Sequence, residues 1–152
     1  MTFGAHNLRN DSFLREYSRG FLSKVTEKLN SQGYLITYSS SAAVRKTLRN
    51  LGLEIFTIKP SFKNRTFWSQ GTVAIAKFDK NKLKPNLNFE KLSVMEEEHL
   101  LTKASIPYRD QKLNSSKDDI IKQRLKEQLL SNLVPTKKWR RQWGRTKLAL
   151  QS

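Results

Sequence analysis

Apolar residues recur every four positions at Phe13, Tyr17, Phe21, Val25 and Leu29, with Leu14 and Leu22 widening the stripe. That spacing predicts one amphipathic helix from Phe13 to Leu29, started by Asn10, Asp11 or Ser12 as N-cap. Asn30-Ser31-Gln32-Gly33 ends it, because Gly33 can supply a left-handed turn, and Tyr34 to Tyr38 follows as a short apolar strand. Ser39, Ser40 and Ser41 then precede a second helix, Ala42 to Leu51, and Gly52 leads into the alternating strand Leu53 to Ile58, which stops before Pro60. After a loop from Pro60 to Gln70, Thr72 to Ala76 reads as a third strand. Residues 1–78 therefore spell helix, strand, helix, strand, loop, strand, which is α/β syntax.

Beyond Phe78 the pattern changes. Asp79 to Lys91 is rich in Lys and Asn around Pro85 and reads as a linker. Ser93 to Ala104 predicts a short helix, and Ser105 to Ser116, with Pro107 and several turn formers, reads as irregular. Asp118 to Leu133 predicts a longer helix with Ile120, Ile121, Leu125, Leu129 and Leu133 on one face, ended by Pro135. A basic, Trp-containing tail follows. The domain expectation is thus an α/β part over 1–78, a linker with a short helix over 79–116, and a helix with a basic aromatic tail over 117–152.

Charge sharpens this map. The 152 residues carry 29 Lys and Arg against 13 Asp and Glu, a formal charge of +16 with pI near 10.3. Such a balance favours a polyanionic partner, and nucleic acid leads because no stretch resembles a signal peptide or a membrane span. A soluble, cytoplasmic protein with no membrane partner is expected. The charge is also uneven: residues 42–65 hold six basic groups against Glu54 alone, and residues 117–147 hold ten against Asp118, Asp119 and Glu127. With no cysteine, disulfides, thiolate metal sites and thiol nucleophiles are excluded.

The run GYLITYSSSAAVRKTLRNLGLEI over 33–55 is similar to a stretch of the MnmC-like methyltransferases that reads GG-x-L-x-TYS-x-A-x-x-VRR-x-L-x-x-xGF-x-V. Pro60 to Arg65 resembles the family's PGFG-x-KRE loop, departing from it at Ser61, Asn64 and Thr66. Glu96 to Leu100, Ile106 to Asp110 and Trp139 to Trp143 resemble the C-terminal extension of stand-alone members. The resemblance covers residues 21–143 and leaves 1–20 unmatched.

It implies the C-terminal half of a Rossmann-like sheet, with three strands and two helices, plus a helical basic extension. It also implies a tRNA-modifying enzyme that methylates an aminomethyl-uridine at the wobble position with S-adenosylmethionine as donor. Relatives can carry a further oxidase domain acting on a CH–NH bond. Adenosyl binding needs a Gly-rich strand-to-helix turn and an acidic residue beyond the next strand. The glycines at 4, 20, 33, 52, 71 and 144 are too far apart to make one, so no cofactor-binding residue is expected here. The catalytic aspartate of the family lies in a D-x-FSP motif that has no match, and catalytic residues are left unassigned. The expected state is a chain without the cofactor-binding half, with a polypeptide that supplies that half as a candidate partner beside tRNA; the alternatives are a catalytically incompetent RNA-binding module and a truncated remnant.

The implied substrate set is Tyr38, Ser39 and Ser40 at the carboxyl end of a strand, with Arg45, Lys63 and Arg65 for phosphates. Plain capping also accounts for the serines. Lys137, Lys138, Trp139, Arg140, Arg141 and Trp143 suit backbone neutralisation with base stacking, or else the tryptophans dock the tail onto the domain. His99 beside Glu96, Glu97 and Glu98 does not make a metal site, since adjacent helical residues point apart.

Overall fold

In the computed structural model, which describes residues 2–3, 11–31, 33–58, 71–76 and 88–149, the expected first helix is two helices. Helix α1 is Asp11–Glu16 and α2 is Arg19–Glu27. The break falls at Tyr17 and Ser18. Ser18 is extended (φ −68°, ψ 151°) and its hydroxyl accepts from the Phe21 amide, which restarts the helix. The Arg19 amide donates to the Tyr108 carbonyl at 2.8 Å, so a distant loop takes over a bond that a continuous helix would make internally.

The sheet has five strands in the order β1-β2-β4-β3-β5: β1 Thr2–Phe3, β2 Tyr34–Thr37, β3 Glu54–Ile58, β4 Thr72–Ile75 and β5 Phe89–Lys91. Strand β4 lies antiparallel between β2 and β3, and Ala74 stands opposite both Leu35 and Ile55. Two strands exceed the expected three. Phe89–Lys91, read as the end of a linker, pairs antiparallel with the outer side of β3, where an unpaired strand edge offers main-chain donors and acceptors. Thr2–Phe3 runs parallel to β2, opposite Ile36 and Thr37.

Alternation along the strands divides the core. Leu35, Ile55 and Ala74 face Leu22 of α2 and Val44 and Leu48 of α3 (Ala42–Asn50), together with Leu92 and Leu100. Phe56, Val73 and Ile75 form the opposite cluster, where Phe56 meets Phe89 edge-on at 5.2 Å.

Ser93 begins α4 (Val94–His99) with a complete capping box to Glu96, and a 3-10 turn follows at Lys103–Ser105. Helix α5 (Lys117–Leu130) forms as expected, but its apolar stripe is not a core face. Only Ile120 is fully buried; Leu125, Leu129 and Leu130 are exposed, and Leu133 lies beyond the helix end. The reason is polar: Arg124 donates to the carbonyls of Ile106 and Ala104, Gln128 to that of Lys103, and Arg109 binds Glu127. These bonds dock α5 by its polar side. Helix α6 spans Thr136–Ala149.

Candidate functional site

The turn after β2 is built by side chains. Thr37 is fully buried, its hydroxyl lies 2.8 Å from the Tyr17 hydroxyl, and it accepts from the Ser39 amide at 3.1 Å. The Ser41 amide reaches the Ser39 hydroxyl, and the Ser39 carbonyl accepts from Thr72 at 2.7 Å. Burial raises the Tyr17 phenol above its ordinary value; the Thr37 hydrogen bond opposes this and the Glu16 charge adds to it. The turn is consequently fixed from α2's approach and from β4, while the Tyr38 ring projects with 53% exposure. Gly71 lets β4 cross here: a Cβ would collide with the Thr37 carbonyl and crowd Tyr38 Cα.

Arg45 does not belong to the exposed substrate set. It is 2% exposed, and its guanidinium donates to Thr72 (2.8 Å), Glu96 (2.8 Å), the Gly71 carbonyl (3.0 Å) and Thr57 (3.3 Å). A cation so enclosed has no face left for a phosphate, and the expectation for this residue is corrected. Burial pulls the Arg45 guanidinium down from its ordinary value, against the Glu96 hydrogen bond and charge. Burial pushes Glu96 up, but the Ser93 amide, Arg45 and the Ser93 hydroxyl more than offset it, and the carboxyl ends below its ordinary value. The pair ties α3, β3 and β4 to α4, with Arg49 and Glu97 adding a bidentate bridge outside it.

Sequence reading missed this group. Thr37, Thr57 and Thr72 occupy inward strand positions where a hydroxyl needs a partner, and that was the available signal.

On α6 the tryptophans turn inward. Trp139 is 7% exposed, donates to the Met95 carbonyl at 3.0 Å and stacks on His99 with centroids 4.1 Å apart and planes at 12°. Trp143 donates to Glu98 at 2.7 Å. Lys137, Lys138, Arg140 and Arg141 remain exposed. Trp139 is thereby removed from base stacking, and docking is the arrangement found. Burial, then the charges of Arg45 and Arg140, lower His99 to about 4 against the pull of Glu96, so its ring is neutral at pH 7. Among the described residues no three His, Asp or Glu side chains gather around a metal position. Lys63 and Arg65 lie outside the described residues.

A family model described as S-adenosyl-L-methionine-dependent methyltransferase matches residues 15–74, which hold α2, β2, α3, β3 and most of β4. That stretch is similar to a methyltransferase domain over part of the chain. The fold of the chain is similar to the crystal structure of MNMC2 from Aquifex aeolicus, with a TM-score of 0.64 and 24% identity. The likeness covers 84% of this chain and 37% of that one, so the chain spans well under half of the solved relative. No curated protein matches it. The family uses S-adenosylmethionine. Among the described residues, however, no glycine-rich turn joins a parallel strand to a helix, and the β2–α3 turn is Tyr38 to Ser41. Tyr38 to Ser41 carries no glycine that would bring backbone against an adenosyl group. No helix among the described residues is long and apolar enough to cross a membrane.

Proposed function

We propose that this chain holds the RNA substrate of an S-adenosylmethionine-dependent tRNA methyltransferase acting in the cytoplasm. The methylated base is taken to be an aminomethyl-uridine at the wobble position. The observation that carries the reading is the sidedness of α6: its two tryptophans anchor it on α4, and Lys137, Lys138, Arg140 and Arg141 face solvent. Four fixed cations on one anchored helix neutralise phosphates at small ordering cost. The exposed Tyr38 ring, beside Ser39 and Ser40 at the carboxyl end of β2, is where a base would stack. Lys63 and Arg65 join the phosphate set by the resemblance of their loop.

The test is filter binding of tRNA across a salt series. The logarithm of affinity should fall linearly with the logarithm of salt, by about 0.7–0.9 per phosphate contact. Replacing Lys137, Lys138, Arg140 and Arg141 by Gln should flatten that slope; an unchanged slope removes α6 from the interface. A second reading, an RNA-binding module without catalysis, rests on the same face of α6. Transfer of a labelled methyl group to tRNA separates the two, and titration calorimetry with S-adenosylmethionine shows whether this chain binds the donor.

A further inference from the structure

Tyr38 carries an exposed ring on a backbone that is bound on both sides. Before it, Thr37 is paired with Thr72 in the ladder between β2 and β4. After it, the amide, hydroxyl and carbonyl of Ser39 are each bonded within the protein. The amide donates to the Thr37 hydroxyl at 3.1 Å, the hydroxyl accepts from the Ser41 amide at 3.3 Å, and the carbonyl accepts from the Thr72 hydroxyl at 2.7 Å.

The last of these bonds is the outer end of a buried chain. The Thr72 hydroxyl donates its proton to Ser39 and accepts from Arg45 Nε at 2.8 Å. Arg45 Nη1 donates to Glu96 at 2.8 Å, while Nη2 donates to the Gly71 carbonyl at 3.0 Å and to the Thr57 hydroxyl at 3.3 Å. Thr57 in turn donates to the same Glu96 carboxylate at 3.0 Å, and the Ser93 amide and hydroxyl each reach that carboxylate at 2.9 Å. Arg45, Thr57, Thr72 and Glu96 are all buried. The guanidinium thus holds β4 at two successive residues, Gly71 by its carbonyl and Thr72 by its hydroxyl. Gly71 is also the residue whose missing Cβ lets β4 lie against Tyr38 Cα.

Stability alone does not call for such a chain. Apolar side chains of similar volume often stabilise a buried site as well as an ion pair does, or better. They do not give direction. A hydroxyl whose acceptor side is taken by an Arg donor has its own proton aimed at one carbonyl, and a satisfied buried network is rigid.

We infer that Arg45 is a positioning residue for the RNA substrate: acting through Thr72, it fixes the Ser39 carbonyl and so the backbone that presents the Tyr38 ring to a base. The inference rests on the reading of Tyr38 as the stacking residue and assigns the group that holds it ready. A ring on an ordered backbone has less freedom to lose when a base arrives. Arg45 itself touches no substrate.

The test is photochemical cross-linking of the full chain to a short single-stranded RNA carrying 5-iodouridine, a base that joins to an aromatic ring stacked on it. Adducts are mapped by peptide mass spectrometry at saturating RNA. The wild type should give an adduct at Tyr38. Thr72→Val keeps the shape and removes the hydroxyl; it should lower that adduct by about fivefold or more, the lower end of what one stacked base contributes. Adducts elsewhere on the chain should not change. Thr72→Ser returns the hydroxyl and should return the adduct. The double variant Arg45→Met with Glu96→Leu separates positioning from stability: it should regain stability, as apolar replacement of a buried pair does, without regaining the Tyr38 adduct. Backbone relaxation reads the same turn without RNA, and the order parameters of the Ser39 and Ser40 amides should fall in Thr72→Val from about 0.85 toward about 0.6. The inference is overturned if Thr72→Val or the double variant gives as much Tyr38 adduct as the wild type. A wild type that gives no Tyr38 adduct overturns the stacking reading and this inference with it, whereas a wild-type adduct that no variant alters overturns this inference alone. Should Thr72→Val unfold, the double variant decides.

Discussion

The Arg45 guanidinium meets the Glu96 carboxylate at 2.8 Å, with side chains only 2% and 7% exposed, across 51 positions of sequence. Breaking a buried pair from one side leaves the other charge uncompensated, which typically costs about 3–5 kcal/mol. Glu96→Ala should lose stability of that order in urea unfolding. The double change Arg45→Met with Glu96→Leu should recover much of it. A single variant as stable as the wild type would show that the pair is not formed in solution.

Acid should act in two stages, first on His99 and then on Glu96 and Glu97. The His99 ring has an ordinary value of 6.5 and a folded value of about 4, so the unfolded chain takes up a proton that the folded chain refuses. Stability is full above pH 6.5 and declines as pH falls from there toward about 4. Glu96 and Glu97 are both held below 4.5, Glu97 chiefly by its Arg49 hydrogen bond, and their contribution is lost only as pH falls below that value. Urea unfolding of His99→Phe at pH 7.5, 5.5 and 4 should lack the first decline and keep the second.

Trp139 and its cationic neighbours should separate stability from binding. Trp139→Ala removes a buried ring together with its bond to Met95, and about 3–5 kcal/mol of stability is expected to go with it. Lys137, Lys138, Arg140 and Arg141 are exposed, and their replacement by Gln should move stability by no more than about 0.5 kcal/mol. Thermal melts of the two variants side by side check this; equal melting temperatures would contradict the docked arrangement.

Gly71→Ala should be poorly tolerated for a steric reason alone. The added methyl meets the Thr37 carbonyl, so β4 must withdraw from β2, at an expected cost of about 1–3 kcal/mol or more. Because Arg45 also binds the Gly71 carbonyl, amide hydrogen exchange at Thr72 and Val73 should rise with the loss of stability.

Helix α3 and strands β2, β3 and β4 were legible because periodicity and turn residues agree there, although Ser41 makes no side-chain capping bond. The split between α1 and α2 was not. Tyr17 and Ser18 fit the four-residue spacing, and the break depends on Tyr108, far along the chain. Strand β5 was hidden because Phe89, Glu90 and Lys91 hold too short a pattern, and only the free edge of β3 makes them a strand. The stripe on α5 misled for the opposite reason: its leucines recur at helical spacing, yet Arg124, Gln128 and Glu127 determine which side is docked. Arg45 reads as a surface cation in any local window, since its partners come from β3, β4 and α4.

The middle place of β4 also sets an order of events during synthesis. Strands β2 and β3 are not hydrogen-bonded to one another; each is bonded to β4, which is made after both. A nascent chain that has produced α2, β2, α3 and β3 still has no ladder joining those strands, and their apolar faces wait uncovered until residue 75 is free to pair. Closing that ladder spans the whole stretch from Tyr34 to Ile75, a non-local step that should be slower than formation of the helices around it. During that interval the chain is most exposed to aggregation and to chaperone capture, and the arrival of four residues, Thr72–Ile75, ends it.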